Sequence, residues 1–169
     1  MMTLAELNAA SREAFVAHLG GVFEHSPWVA ELAYGKRPFA TGESLHAAMM
    51  AVVQGTGNER QLALLRAHPE LAGRAAVQGE MTDFSKREQG GSGLLDCSPQ
   101  ELAHLQDLNR AYAAKFGFPF IIAVMGLDRA GIIEAFVRRS GNSPEAEAAE
   151  ALRQVGCITG LRLAALVQD

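Results

Sequence analysis

The stretch LLRAHPELAGR, residues 64–74, sets a histidine, His68, directly before a proline. Histidine has a reference pKa of about 6.5, so it exchanges a proton more readily near neutral pH than any other unperturbed side chain. Proline disfavours the α conformation in the residue before it. The helix-patterned run LLRA therefore stops at His68, which backbone holds on both sides, and Pro69 suits the first turn of a following segment, PELAGRAA. Two roles are open to such a histidine. It closes a helix as a structural group, or it presents its ring to a cleft as a general acid or base.

A second concentration of useful groups lies in TDFSKREQGGSGL, residues 82–94. Ser85, Glu88 and Gln89 supply an acceptor, a base and an amide, with Lys86 and Arg87 between them. Ser85 and Glu88 also read as an S-x-x-E capping box, which needs no ligand. Gly90, Gly91 and Gly93 would each cost about 1 kcal/mol inside a helix. Such a cost is tolerated where backbone must approach another group closely, and a helix start offers free N–H groups to an anion. A third candidate is Arg162. At about 100° per residue, Leu152, Val155, Ile158, Leu163 and Leu166 share one arc of the last helix, and Arg162 falls inside it while Arg153 points away. A core-facing arginine needs an anionic partner. An internal Asp or Glu and a bound carboxylate both satisfy that need. The fourth is KFGFPFIIAVMG, whose backbone polar groups need partners if no sheet forms.

The remaining histidines carry less. His18 and His46 sit in helix patterns, His104 in an exposed-looking one, and His25 in the HSPW turn. No H-E-x-x-H, Walker loop, G-x-S-x-G or metal-spaced Cys/His set occurs. His68 and Glu88 alone do not specify a metal.

The elements that must position these groups read as helices. Thr3 with Glu6 is a capping box, Ser26-Pro27 opens PWVAELAYG, GESLHAAMMAVVQ ends at GTG, and Asn58 is placed to cap ERQLALLRAH. Ser98-Pro99 with Glu101 opens a run ended by Gly117, DRAGIIEAFVRRS ends at Gly141, and Ser143-Pro144 opens the last and longest helix. Strand signals are confined to FPFIIAVMG, which lacks a partner. The expectation is an all-α fold, one compact domain over residues 1–169, with about seven to nine helices and FPFIIAVMG as a buried connector or short helix. A net charge of −4 excludes the basic face that nucleic acids require. No signal peptide and no run near the roughly 20 apolar residues of a membrane span is visible, and Cys97 and Cys157 form no CxxC pair, so a reduced cytoplasmic protein is expected.

Several of these stretches together resemble a known family. FEHSPWVAE, LLRAHPELAGR, SKREQGGSGL, LNRAYAAKFGFPFIIAVMG and the last helix are similar, in that order, to the 2-oxo-4-hydroxy-4-carboxy-5-ureidoimidazoline (OHCU) decarboxylases of ureide and purine catabolism. The resemblance covers the chain from about Phe15 to Val167. It implies an all-helical enzyme that needs no cofactor or metal and converts OHCU to (S)-allantoin and CO2. It implies His68 as catalytic acid/base, with Glu88 beside it. Pro69, Ser85, Lys86, Arg87, Gln89, Arg162 and the backbone of Phe120, Ile121, Ile122, Ala123 and Val124 are implied as the substrate site. A homodimer is also implied. The chain departs from the family in GGSG, where small residues such as Ala are usual, and in Gly156 and Gly160 of the last helix. The ending LVQD is not a peroxisomal address, which suits a bacterial cytoplasm.

Two other functions fit the same residues. One is a hydrolase or isomerase acting on a related ureide. The other is a non-enzymatic helical interaction module, which needs no convergence of His68, Glu88 and Arg162.

Overall fold

The computed structural model describes residues 1–73 and 82–169. Nine α-helices occur among them: α1 (Leu4–Ala9), α2 (Arg12–Leu19), α3 (Trp28–Ala33), α4 (Gly42–Gln54), α5 (Asn58–Arg66), α6 (Asp83–Gly91), α7 (Pro99–Phe116), α8 (Arg129–Ser140) and α9 (Pro144–Leu166). Among the described residues strand is limited to β1 (Met2–Thr3) and β2 (Val167–Gln168), which pair in parallel. The fold is all-α, as the periodicity predicts. No helix among the described residues is long and apolar enough to cross a membrane.

Most helix starts follow from their caps. Thr3 and Glu6 form the reciprocal capping box, as do Ser98 and Glu101, where Pro99 enters the first turn. Asp128 accepts from the Gly131 N–H at 2.8 Å, and Ser143 from Ala146 at 3.2 Å. Gly117 ends α7 at φ 80°, a left-handed cap that glycine adopts without steric cost. Three starts differ from the sequence reading. Pro27, not Ser26, occupies the cap position of α3, because the Ser26 hydroxyl donates to the Glu24 carbonyl at 3.0 Å and closes the turn around His25. Gly57 rather than Asn58 precedes α5. Thr82 caps α6 by accepting from the Ser85 N–H at 3.3 Å, so Ser85 lies one turn inside the helix and is not the cap.

The packing divides into two compact units: Met1–Ala67 with Gly156–Asp169, and His68–Val155. In the first, Leu7, Phe15, Leu19, Phe23, Leu45 and Met49 are fully buried. Here two glycines of α9 face α4. A Cβ on Gly156 would sit 3.3 Å from the Met50 methyl, and one on Gly160 3.5 Å from the His46 ring. The helix runs through both glycines unbroken. His46 donates to or accepts from the Thr159 hydroxyl at 3.0 Å. Burial holds its pKa below the ordinary value, opposed by a hydrogen bond to the Gly156 backbone.

The second unit is built on aromatic rings. Tyr112 of α7 lies 4.5 Å from Phe116 and 5.4 Å from Phe120, and Phe120 stacks on Phe136 at 4.0 Å between centroids. A buried ion pair sits in this cluster. Arg139 reaches the Glu147 carboxylate at 2.5 Å, and the Tyr112 hydroxyl donates to the same oxygen at 2.5 Å. Asn142 donates to the other carboxylate oxygen at 2.8 Å. Burial, reinforced by Glu147, pushes the Tyr112 phenol far above its usual pKa, so it remains a donor.

Candidate active site

His68 is the second residue beyond α5, in a bend after the Ala67 cap, and is 7% exposed. The break expected at His68-Pro69 is therefore present. The segment Pro69–Gly73 does not start a helix, however. It is an irregular piece and a turn, and the rest of PELAGRAA lies outside the described residues. The reason is a set of side-chain hydrogen bonds that replace helical ones. Gln89 accepts from the Ala72 N–H at 2.9 Å through Oε1 and donates to the Glu70 carbonyl at 3.4 Å through Nε2. Asn109 donates to the Leu71 carbonyl at 3.0 Å. Ala72 sits at φ 48°, in the left-handed region that non-glycine residues seldom occupy.

Helix α6 distributes its residues by period. Ser85 and Gln89, four apart, face inward and are buried, Glu88 is half-buried, and Lys86 and Arg87 are exposed. Arg87 lies over the Phe84 ring at 5.7 Å. Gln89 thus ties the helix carrying Glu88 to the loop carrying His68. Two of the glycines after it stand clear of other protein groups. Gly93 turns the chain at φ 75°, and a Cβ at Gly91 or Gly93 would meet nothing within 4 Å.

The run Phe120–Val124 forms neither helix nor strand; it is a buried connector, with only Ala123 half-exposed. Its backbone needs are met partly by the protein. The Arg139 guanidinium donates to the Ile121 carbonyl at 2.7 Å, and the Ala123 N–H donates to Gln154 Oε1 at 2.9 Å. The buried ion pair therefore also shapes the connector. Arg139, Glu147 and Gln154 escaped the sequence reading, because partners of an irregular segment leave no periodic trace. Asn109 and Tyr112 were visible only as the N-x-x-Y of the family resemblance.

Pro69, Ser85, Glu88, Gln89 and the connector lie with His68 in the second unit, and Arg162 lies in the first. Arg162 is 3% exposed, inside the apolar arc as the helical wheel predicts. Its Nη1 is 2.8 Å from the Glu24 carboxylate and 3.3 Å from the Val22 carbonyl. Glu24 is as deeply buried, one residue before His25 at φ 47°. The internal acid is therefore present. Sequence gave Glu24 no distinguishing mark, since a single acid before a turn is ordinary. Among the described residues, no group of three His, Cys, Asp or Glu side chains is arranged to hold a metal ion.

A helical protein with a histidine-proline loop strapped to an S-x-x-E-Q helix has a solved counterpart. The crystal structure of an (S)-allantoin synthase superposes with a TM-score of 0.79 at 31% identity, over 99% of this chain and 54% of that one. The chain belongs to the OHCU decarboxylase family, which it matches over residues 8–164. A 2-oxo-4-hydroxy-4-carboxy-5-ureidoimidazoline decarboxylase of Haloferax volcanii is 41% identical over 96% of this chain and 95% of its own length. A uric acid degradation bifunctional protein of a Bacillus species is 37% identical over the whole of this chain, which spans 33% of that protein.

Proposed function

We propose that the chain decarboxylates OHCU to (S)-allantoin and CO2 in urate degradation, with His68 as the proton-transfer group. As a member of this family the chain is a carboxy-lyase. The observation that carries the reading is the strap. Gln89, next to Glu88, bonds the loop that begins at His68, so a buried imidazole and a carboxylate belong to one braced substructure.

The chemistry asks little else of the protein. The bond to the carboxylate breaks, and its electron pair flows into the adjacent C=N bond. The substrate is its own electron sink. What remains is to orient the ring and deliver a proton to one face, which sets the S configuration. An imidazole suits that transfer. Glu88 holds ureido N–H groups or the 4-hydroxyl, and Arg162, with Glu24 on one side of its fork, steers the substrate's anionic or carbonyl groups. Ser85, Gln89 and the connector backbone shape the walls, while Lys86 and Arg87 on the exposed face of α6 add positive charge near an anionic substrate.

The test is to generate OHCU in situ from urate with urate oxidase and hydroxyisourate hydrolase, then follow its decay by absorbance and circular dichroism. Decay faster than the spontaneous rate, with the dichroism of one allantoin enantiomer, is expected. Spontaneous-rate decay to racemic product would overturn the reading.

A further inference from the structure

The strap has a second arm that the proposed chemistry leaves without a role: Asn109, on the inner face of α7. Its side chain is 2% exposed and its amide donates to the Leu71 carbonyl. With Gln89, it engages the main chain of three successive residues, Glu70, Leu71 and Ala72, from two different helices. These residues begin two positions after His68. At their end Ala72 is held at φ 48°, where a Cβ is unfavourable. Such a conformation persists only where the surroundings over-determine it, and it gathers at functional sites. The other end of the amide is also informative. Asn109 Oδ1 is buried and has no hydrogen-bond partner among the described residues. A buried acceptor left unmade is a cost, so what keeps the amide at this position is its donor, which grips the loop.

We propose that Asn109 is a positioning residue for the decarboxylation, holding the His68–Ala72 loop against the strain at Ala72 so that the imidazole keeps its working orientation. The inference rests on the function proposed above. A general acid or base must lie within hydrogen-bond reach of its target. A loop relaxed toward negative φ at Ala72 would swing His68 while leaving the aromatic core of this unit intact.

Asn109→Leu removes the donor at nearly constant volume. It should lower kcat by about 10- to 100-fold while KM changes by less than about threefold, since orientation is lost and binding is not. Ala72→Gly added to the same chain should recover about fivefold of kcat, because glycine takes positive φ freely. Independently of turnover, the His68 imidazole NMR signal, assigned by its loss in His68→Asn, should move and broaden in Asn109→Leu, and the Ala72 amide should exchange faster. Should Asn109→Leu not fold, Asn109→Ser, with a shorter donor, is expected to show the same changes in weaker form. A folded Asn109 variant with wild-type kcat and an unmoved His68 signal would overturn the proposal. So would a loss of kcat that Ala72→Gly does not relieve. A wild-type chain that fails to accelerate OHCU decay would instead sink the proposed function, and the His68 signal and Ala72 exchange would still decide whether Asn109 holds the loop.

Discussion

Arg162 and Glu24 meet at 2.8 Å with both side chains almost wholly buried. Removing one partner strands the other charge in low dielectric, which costs about 3–5 kcal/mol. Glu24→Gln should therefore lower Tm by about 10 °C or more for a chain of this size. Arg162→Lys keeps the charge but gives up the planar fork. If the guanidinium also meets substrate, this variant should raise KM; if it serves Glu24 alone, Tm falls and the kinetics of the folded enzyme stay put. Both readouts on one preparation separate the cases. At His68 the expectation is sharper: His68→Asn should keep the far-ultraviolet dichroism and slow turnover by about 10²- to 10⁴-fold. Near-normal turnover in a folded His68→Asn chain would remove the imidazole from the mechanism.

At the scale of elements, the connector Phe120–Val124 and the α4–α9 packing make separate demands. Arg139 serves Glu147 and the Ile121 carbonyl together, so its loss should strand a buried carboxylate and loosen the connector at once. Arg139→Met should cost about 3–5 kcal/mol, and Arg139→Met with Glu147→Gln should cost less than Arg139→Met alone. Equal losses in denaturant titrations would argue that Glu147 does not need its cation. On α4, His46 has a folded-state pKa below its unfolded value, because burial disfavours the charged ring. The unfolded chain therefore binds the proton first as pH falls. The His46 contribution is fully present above about pH 6.5 and declines as pH drops below that value. His46→Gln should flatten this part of the Tm profile between pH 5 and 8; an unchanged slope would place the acid sensitivity elsewhere.

Taken whole, the molecule is an acidic chain of 169 residues acting, by the proposed reading, on a small anion. Net charge does not draw that anion in, so by the same reading the attraction falls to local cations, such as Lys86 and Arg87 on the exposed face of α6. Because the substrate accepts its own electrons on loss of CO2, exhaustive dialysis against a chelator should leave kcat unchanged. A loss restored by one divalent metal would show a dependence that this chemistry does not require.

The helices were legible in the sequence because their information is local. Thr3, Ser98 and Ser143 cap within one turn, Pro99 and Pro144 enter at the first position, Gly117 closes α7, and the arc on α9 put Arg162 inside. The break at His68-Pro69 was equally local, since a proline restricts the residue before it. What lay beyond the sequence is long-range partnership. No periodicity says that Gln89 and Asn109 will grip Glu70, Leu71 and Ala72, that Arg139 and Gln154 will satisfy Ile121 and Ala123, or that Arg162 will choose Glu24 over 138 residues of chain. Irregular backbone and buried charge must be paired for the chain to fold, but many amides and acids could do the pairing. Only tertiary packing selects among them, because selection depends on which side chains the helices bring within 3 Å of each other.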